Sequence, residues 1–470
     1  MANLHTQALK NLVLIILFIC YGLTQHAFGQ AQDSLTIKDI YITGNKLTRA
    51  SVIFREISIK KGERLSRQEL TDRMRESEKF LINQSLYLDV YLRDSVANGD
   101  AYIYIKVKER FNIDFWHPQV KVADRNFNEW LRSPSVYRLT YGLPVVISSL
   151  RGDNDKLTLS AIFGWRQTFG IDYRVPYLNK EKTLGIENIF TYQDGHEVGA
   201  ITSDNQLQYV RVDQQVIFQK ISYETDFIYR KKYQVTHTFT IGFDYYKIGD
   251  TVSRINPDYL GNGRTIIRVP RLAYKFIYDK RDYAVYARKG DYLNFSIEHD
   301  GLPVLLKDVN VTTIDFTYRK FVPMGGRFYY DGGITTENEL QTQLPYVFRS
   351  SLGYRYQVRG FEHYLSDGNA YILAENEIKF LLLSRSFKLP LIRVGAFNPV
   401  PLAIYPKVFY DEGVVFYQNP DISNNLVNKL MSGWGAGIDL TTYYDFVMRV
   451  EYSFNNLGEG GWFLHFTEVF

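Results

Sequence analysis

The stretch Phe446-Val447-Met448-Arg449-Val450-Glu451-Tyr452-Ser453-Phe454 sets large apolar residues at the even positions against Val447, Arg449, Glu451 and Ser453 at the odd ones. Successive side chains of an extended strand point to opposite faces, so this strand has one face for an apolar medium and one for a polar medium. Outward from it the pattern repeats. Phe239, Ile241, Phe243 and Tyr245 alternate with Thr240, Gly242 and Asp244; Leu293, Phe295 and Ile297 with Asn294, Ser296 and Glu298; and Ile314, Phe316 and Tyr318 with Asp315, Thr317 and Arg319. From Phe111 onward the chain reads as sixteen or seventeen such segments parted by turn clusters, with 111–121 either the first strand or a linker. The connections are unequal: Pro323-Met324-Gly325-Gly326 is a tight turn, whereas Tyr346 to Asn369 is a long excursion.

A soluble sandwich with one wet face would alternate too, so the pattern needs a second observation. Composition supplies it. Of 470 residues 16% are aromatic, with 37 Tyr and 31 Phe, yet the mean hydropathy is mildly negative. A transmembrane barrel has this balance, because its aromatic-rich outer face and polar lumen offset each other. No stretch approaches the ~20 apolar residues of a membrane helix; Phe380 to Leu383 is too short and Arg385 soon follows. A bilayer-spanning chain of strands must close into a barrel, since open sheet edges cannot be left unpaired in lipid. The expected fold is therefore mainly β, with a barrel of about sixteen antiparallel strands over 110–470.

Residues 1–29 read as a secretory signal, with Lys10 ahead of the apolar run Leu12 to Ile19 and Ala27-Phe28-Gly29 at the cleavage positions, so that Gln30 begins the mature chain. The only cysteine, Cys20, falls in this signal, and Ile19 before it disfavours a lipid anchor. Without it, neither a disulfide nor a cysteine metal site is expected. Loss of Lys10 lowers the formal charge from +4 to +3, which names no polyanionic partner.

Residues 35–109 follow a different grammar and form a small α+β unit. Leu35 to Thr43 alternates as a strand, Gly44-Asn45 turns, and Thr48 to Ile57 is expected to be a short helix capped by Thr48. A longer helix starts at Ser66, with Ser66 and Glu69 as a capping box, Leu65 and Leu70 as a staple, and Leu70, Met74, Ser77 and Leu81 at helical spacing. Ser85 to Arg93 and Ala101 to Lys108 follow as strands, the second with Ile103, Ile105 and Val107 on one face.

This β-α-α-β-β order, with Ile42-Thr43-Gly44-Asn45 after the first strand, resembles a POTRA domain. The barrel carries Val358-Arg359-Gly360-Phe361 and, further on, Phe409-Tyr410-Asp411-Glu412-Gly413. Together these resemble the BamA/TamA superfamily of outer-membrane assembly and translocation proteins, the bacterial surface antigen type. The resemblance implies that the Val-Arg-Gly-Phe loop dips into the lumen, where Arg359 meets Asp411 of the Phe409, Asp411, Gly413 motif. A guanidinium there favours a bidentate carboxylate. Glu375 and Glu377 share a strand face, and either is a candidate second partner. Tyr278 to Asp282 with Lys289-Gly290-Asp291 resembles the family's strand-turn-strand ahead of the loop. Trp462, Leu464, Phe466 and Phe470 resemble the family's C-terminal barrel signal, from which Glu468 departs. Asp124 to Trp130 reads only as a turn into a short amphipathic helix between the two domains.

The resemblance implies an outer-membrane protein with its POTRA domain in the periplasm. It would assemble or translocate unfolded outer-membrane or secreted clients in contact with outer-membrane lipid, with accessory lipoproteins as further candidate partners. A strand such as Ala101 to Lys108 is expected to capture clients by β-augmentation, and the barrel seam to template or pass them. The single POTRA departs from the several that the central assembly protein usually carries. A dedicated secretion pore, or a specialised paralogue with a structural or lipid-handling role, is the alternative. No enzyme, cofactor, metal or nucleic acid is expected: His117, His196, His237, His299, His363 and His465 have no metal spacing, and no Gly-x-Ser-x-Gly elbow occurs.

Overall fold

The computed structural model describes residues 34–114, 119–122, 125–132, 134–302, 306, 308–388, 400–418, 420–442 and 446–467. The signal segment, His117, Asp124, Glu468 and Phe470 lie outside them. No described helix is long and apolar enough to cross a membrane.

The N-terminal domain is a four-stranded sheet with two helices. Its strands are β1 (Ser34–Thr43), β2 (Arg64–Ser66), β3 (Tyr87–Ala97) and β4 (Asp100–Glu109), in the order β2-β1-β4-β3. Its helices are α1 (Ala50–Glu56) and α2 (Arg67–Ile82). The capping box of α2 is present, the Ser66 hydroxyl accepting from the Glu69 N–H and the Glu69 carboxylate accepting in return. Leu70 and Leu81 pack with Ile37, Ile53, Ile103, Ile105 and Val107 as one core, and Ser77, also buried, accepts the Ser58 N–H at 3.0 Å. Two expectations change. Thr48 does not cap α1; its N–H, with those of Lys46 and Leu47, donates to the Glu109 carboxylate, and α1 starts two residues later. β4 is not an edge, since β1 pairs along one side of it and β3 along the other.

The barrel closes as nineteen segments making sixteen staves, three of them assembled from two consecutive segments. Ile113–Asp114 and Gln119–Val122 together form the first stave, each pairing with the hairpin partner that follows, so both segments belong to the barrel. The helix Phe127–Arg132 consequently lies between the first and second staves, not between the domains as the sequence suggested. Gly460–Thr467 is the last described stave. Phe239, Ile241 and Phe243 are exposed on the outer face, while Gly242 and Asp244 point inward and are buried.

One rim of the barrel rests on α1 and α2. The Tyr233 ring stacks on Phe80 at 4.6 Å and its hydroxyl donates to the Ile57 carbonyl at 2.7 Å. At the opposite rim the hairpin Glu197–Ser203 and Gln206–Arg211, with the helix Asp250–Ile255, forms an apolar lid that includes Val198, Val252, Leu260 and Leu344.

Candidate functional site: the lumen loop and the seam

The 346–369 excursion folds inward, and its tip is Val358 to Phe361. Val358 and Phe361 pack with Leu352, Leu373 and Val415, so the arginine between them is delivered to the lumen wall by buried neighbours. Arg359 forms a two-pronged ion pair with Asp411, Nε to Oδ2 at 2.6 Å and Nη2 to Oδ1 at 2.7 Å. Its Nη1 donates to Glu377 at 2.8 Å, and its guanidinium lies 4.0 Å from the centre of the Phe409 ring. Residues two apart on one strand share a face, which is why Phe409, Asp411 and Gly413 of the stave Val400–Phe416 all meet the loop, with Lys407 on the same face against Glu377. Two glycines make the approach possible. A methyl group on Gly433 would overlap the Arg359 carbonyl oxygen, and Gly360 adopts φ +94° with the Phe454 carbonyl 2.8 Å from where a Cβ would stand.

Glu375 and Glu377, equivalent in the sequence, part company in the structure. Glu377 meets Arg359, Lys379 and Lys407, whereas Glu375 pairs with Arg319 at 2.7 Å. Several residues that sequence reading passed over complete the wall. Lys407, fully buried, stands 2.8 Å from Asp439 and 2.7 Å from Glu451; Tyr286 donates to Asp439 at 2.9 Å. Even spacing from Asp411 was a signal for Lys407; Asp439, Glu451 and Tyr286 had none, because the first two come from other staves and Tyr286 from the turn between Asp279 and Gly290. Trp462 and Phe466 are exposed on the outer face of the last stave, and Phe470 lies outside the described residues. The Tyr278 to Asp291 segment is a turn between two staves in which Arg281 closes on Asp279 with contacts of 2.9 and 2.6 Å.

The seam is occupied by a segment whose sequence gave little away. The Asn128 side-chain amide donates to the Leu464 carbonyl at 3.1 Å, and its oxygen accepts the Leu464 N–H at 2.7 Å. One side chain thus satisfies both backbone groups of a residue on the last stave. The same segment holds the lumen loop: Arg125 donates to the carbonyls of Gly353, His363 and Tyr364, Asn126 to that of Glu362, and Glu129 meets His363 at 3.0 Å. Phe127 packs edge-on against Phe466. Below this, between the N-terminal domain and the barrel mouth, lies a cavity of about 1880 Å³ lined by Arg73, Glu76 and Phe80 on one side and Arg230, Arg281 and Lys289 on the other.

A closed barrel whose lumen holds an ion-paired loop, standing on a small domain of order β-α-β-α-β-β, with the short strand β2 between the two helices added to the order the sequence suggested, defines a class of outer-membrane protein. Residues 149–447, more than half of the chain, match the family model described as the Omp85 superfamily domain, and residues 35–110 match POTRA, surface antigen variable number repeat. The chain belongs to the Omp85 superfamily. Its fold is similar to that in the crystal structure of BamA from Haemophilus ducreyi lacking POTRA domains 1–3, with a TM-score of 0.53, 14% identity, and coverage of 92% of this chain and 84% of that one. It is likewise similar to CdiB from Escherichia coli, with a TM-score of 0.56, 12% identity, and coverage of 92% and 75%. At these identities the likeness is one of fold. No curated protein matches the sequence. Membership of the family places the barrel in the outer membrane and the POTRA domain in the periplasm, and the general role in outer-membrane assembly or in secretion and translocation.

Proposed function

We propose that this protein inserts outer-membrane proteins or passes polypeptides across the outer membrane, the POTRA domain capturing unfolded clients by β-augmentation and the seam templating or releasing them. The contact between Asn128 and Leu464 carries this reading. The edge of the last stave is held there by a side-chain amide, and the backbone of an incoming strand would supply the same donor and acceptor. Exchange of one pair of bonds for an equivalent pair is nearly neutral in energy, so the edge can be given up to a client without an energy source. The client enters past the vestibule, where charges of both signs suit a segment of unspecified sequence. In the POTRA domain the edges are β2 and β3, not β4, and β3, with 11 residues against 3, is the longer. No bond of the client is made or broken in this scheme, so the buried ion pairs of the lumen serve to hold the loop and not to catalyse.

Depletion of the protein, followed by quantification of the outer-membrane proteome, tests the proposal. A broad fall in other barrel proteins is the result expected of an assembly factor. Loss of one surface or secreted protein alone would instead assign a dedicated secretion pore, and an unchanged proteome a specialised paralogue with a structural or lipid-handling role.

A further inference from the structure

Folding brings together three groups that the sequence keeps apart: Glu362, directly after the lumen-loop tip, Glu451 on the fifteenth stave and His465 on the last. His465 Nε2 lies 3.4 Å from Glu362 Oε1 and 3.4 Å from Glu451 Oε2, and all three ligand atoms fall within 4.8 Å of one another. Glu362 and Glu451 are 0% and 1% exposed. None of the three facing atoms has a hydrogen-bond partner among the described residues. Buried carboxylate oxygens seldom go without one, and each such case requires a cause.

We propose that Glu362, Glu451 and His465 form a binding site for one divalent cation of the zinc class, which ties the lumen loop to the last two staves. The distances favour a shared cation over direct contact. A hydrogen bond from the imidazole would bring nitrogen and oxygen to about 2.9 Å, whereas ligands about 2.1 Å from a tetrahedral zinc stand about 3.4 Å apart. One imidazole with two carboxylates suits zinc, while calcium and magnesium take oxygen ligands. The outer contacts are those of a ligand set held in place: the other Glu362 oxygen accepts the Gly360 N–H at 2.8 Å, and the other Glu451 oxygen stands 2.7 Å from Lys407 Nζ.

Charge gives an independent argument. The connected ion-pair network of the lumen contains seven carboxylates, Asp331, Glu362, Glu375, Glu377, Asp411, Asp439 and Glu451, against five cations, Arg319, Arg359, Lys379, Lys407 and Arg449. Among the described residues it is two negative charges in excess. Buried charge must be compensated, and one divalent cation beside a neutral His465 removes the excess, whereas an imidazolium removes half of it.

The test uses the full chain folded in detergent, stripped with chelator and desalted. Zinc is added, and the metal that co-elutes with folded protein is counted by elemental analysis; cobalt(II) is substituted for its absorption spectrum. One zinc per chain, the intense visible absorption of four-coordinate cobalt, and a higher melting temperature with zinc are expected. Glu362→Gln and His465→Asn should each weaken binding by more than about 100-fold, beyond the range for loss of a mere supporting contact. Absence of stoichiometric zinc from the folded wild-type chain overturns the proposal, as does equal binding by both variants. If the variants do not fold, the wild-type cobalt spectrum decides, since weak six-coordinate absorption would also overturn it.

Discussion

Glu56 of α1 and Arg230 of the barrel meet in a two-pronged ion pair, with contacts of 2.9 and 3.1 Å, and the carboxylate has no solvent exposure. Tyr177 and Gln84 donate to the same carboxylate at 2.9 and 3.0 Å. The POTRA domain is thus fastened to the barrel by a buried, fully hydrogen-bonded charge, which fixes the vestibule beneath the lumen.

Removing one member of that pair leaves the other uncompensated. Arg230→Met should destabilise the docked arrangement by about 3 kcal/mol, the low end for a buried pair because Arg230 is partly solvated. Pulsed distance measurement between spin labels on α2 and the barrel rim would register it as a broadened distribution; a distribution unchanged from wild type would show that docking rests on other contacts.

Arg359→Ala removes the one guanidinium that, among the described residues, pairs with the fully buried Asp411, and withdraws one of the partners of Glu377. A loss of about 3–5 kcal/mol in loop stability is expected, with the barrel still formed. Arg359→Lys should recover little, because an ammonium cannot reproduce the fork. Heat-modifiable migration in gels, together with client levels in cells, provides the check. If both stay as in wild type, Arg359 is not the anchor of the loop.

Gly433→Ala adds one methyl group where the Arg359 carbonyl already lies. The loop would have to withdraw while every ion-pairing side chain is kept, so the variant should share the phenotype of Arg359→Ala. Protease sensitivity of the 346–369 loop separates the two readings: wild-type resistance would mean that the stave yields instead.

On β3, the outward N–H of Leu92 is covered by the Glu78 carboxylate at 2.8 Å. An incoming strand must displace that carboxylate. Glu78→Ala should therefore strengthen capture of unfolded clients by the POTRA domain, measured as cross-linking from a photoreactive residue at Tyr91. Weaker or unaltered capture would place the client elsewhere.

The sequence by itself determined the barrel and the small domain before it, because an alternation of period two and a helical spacing of 3.6 are local properties that each segment carries whole. Arg359 and Asp411 were also legible there, through short motifs that resemble a family pattern. Tertiary structure alone decided the rest. The choice of Glu377 over Glu375 depends on how far along the stave the loop descends. The interior place of β4 follows from β1 pairing with it in parallel across the domain. Asn128 and Leu464 are 336 residues apart, and nothing local to either announces their contact. Closure of the barrel brings first and last staves together, and only then does a loop between them, or a histidine on the final strand, acquire the neighbours that give it a role.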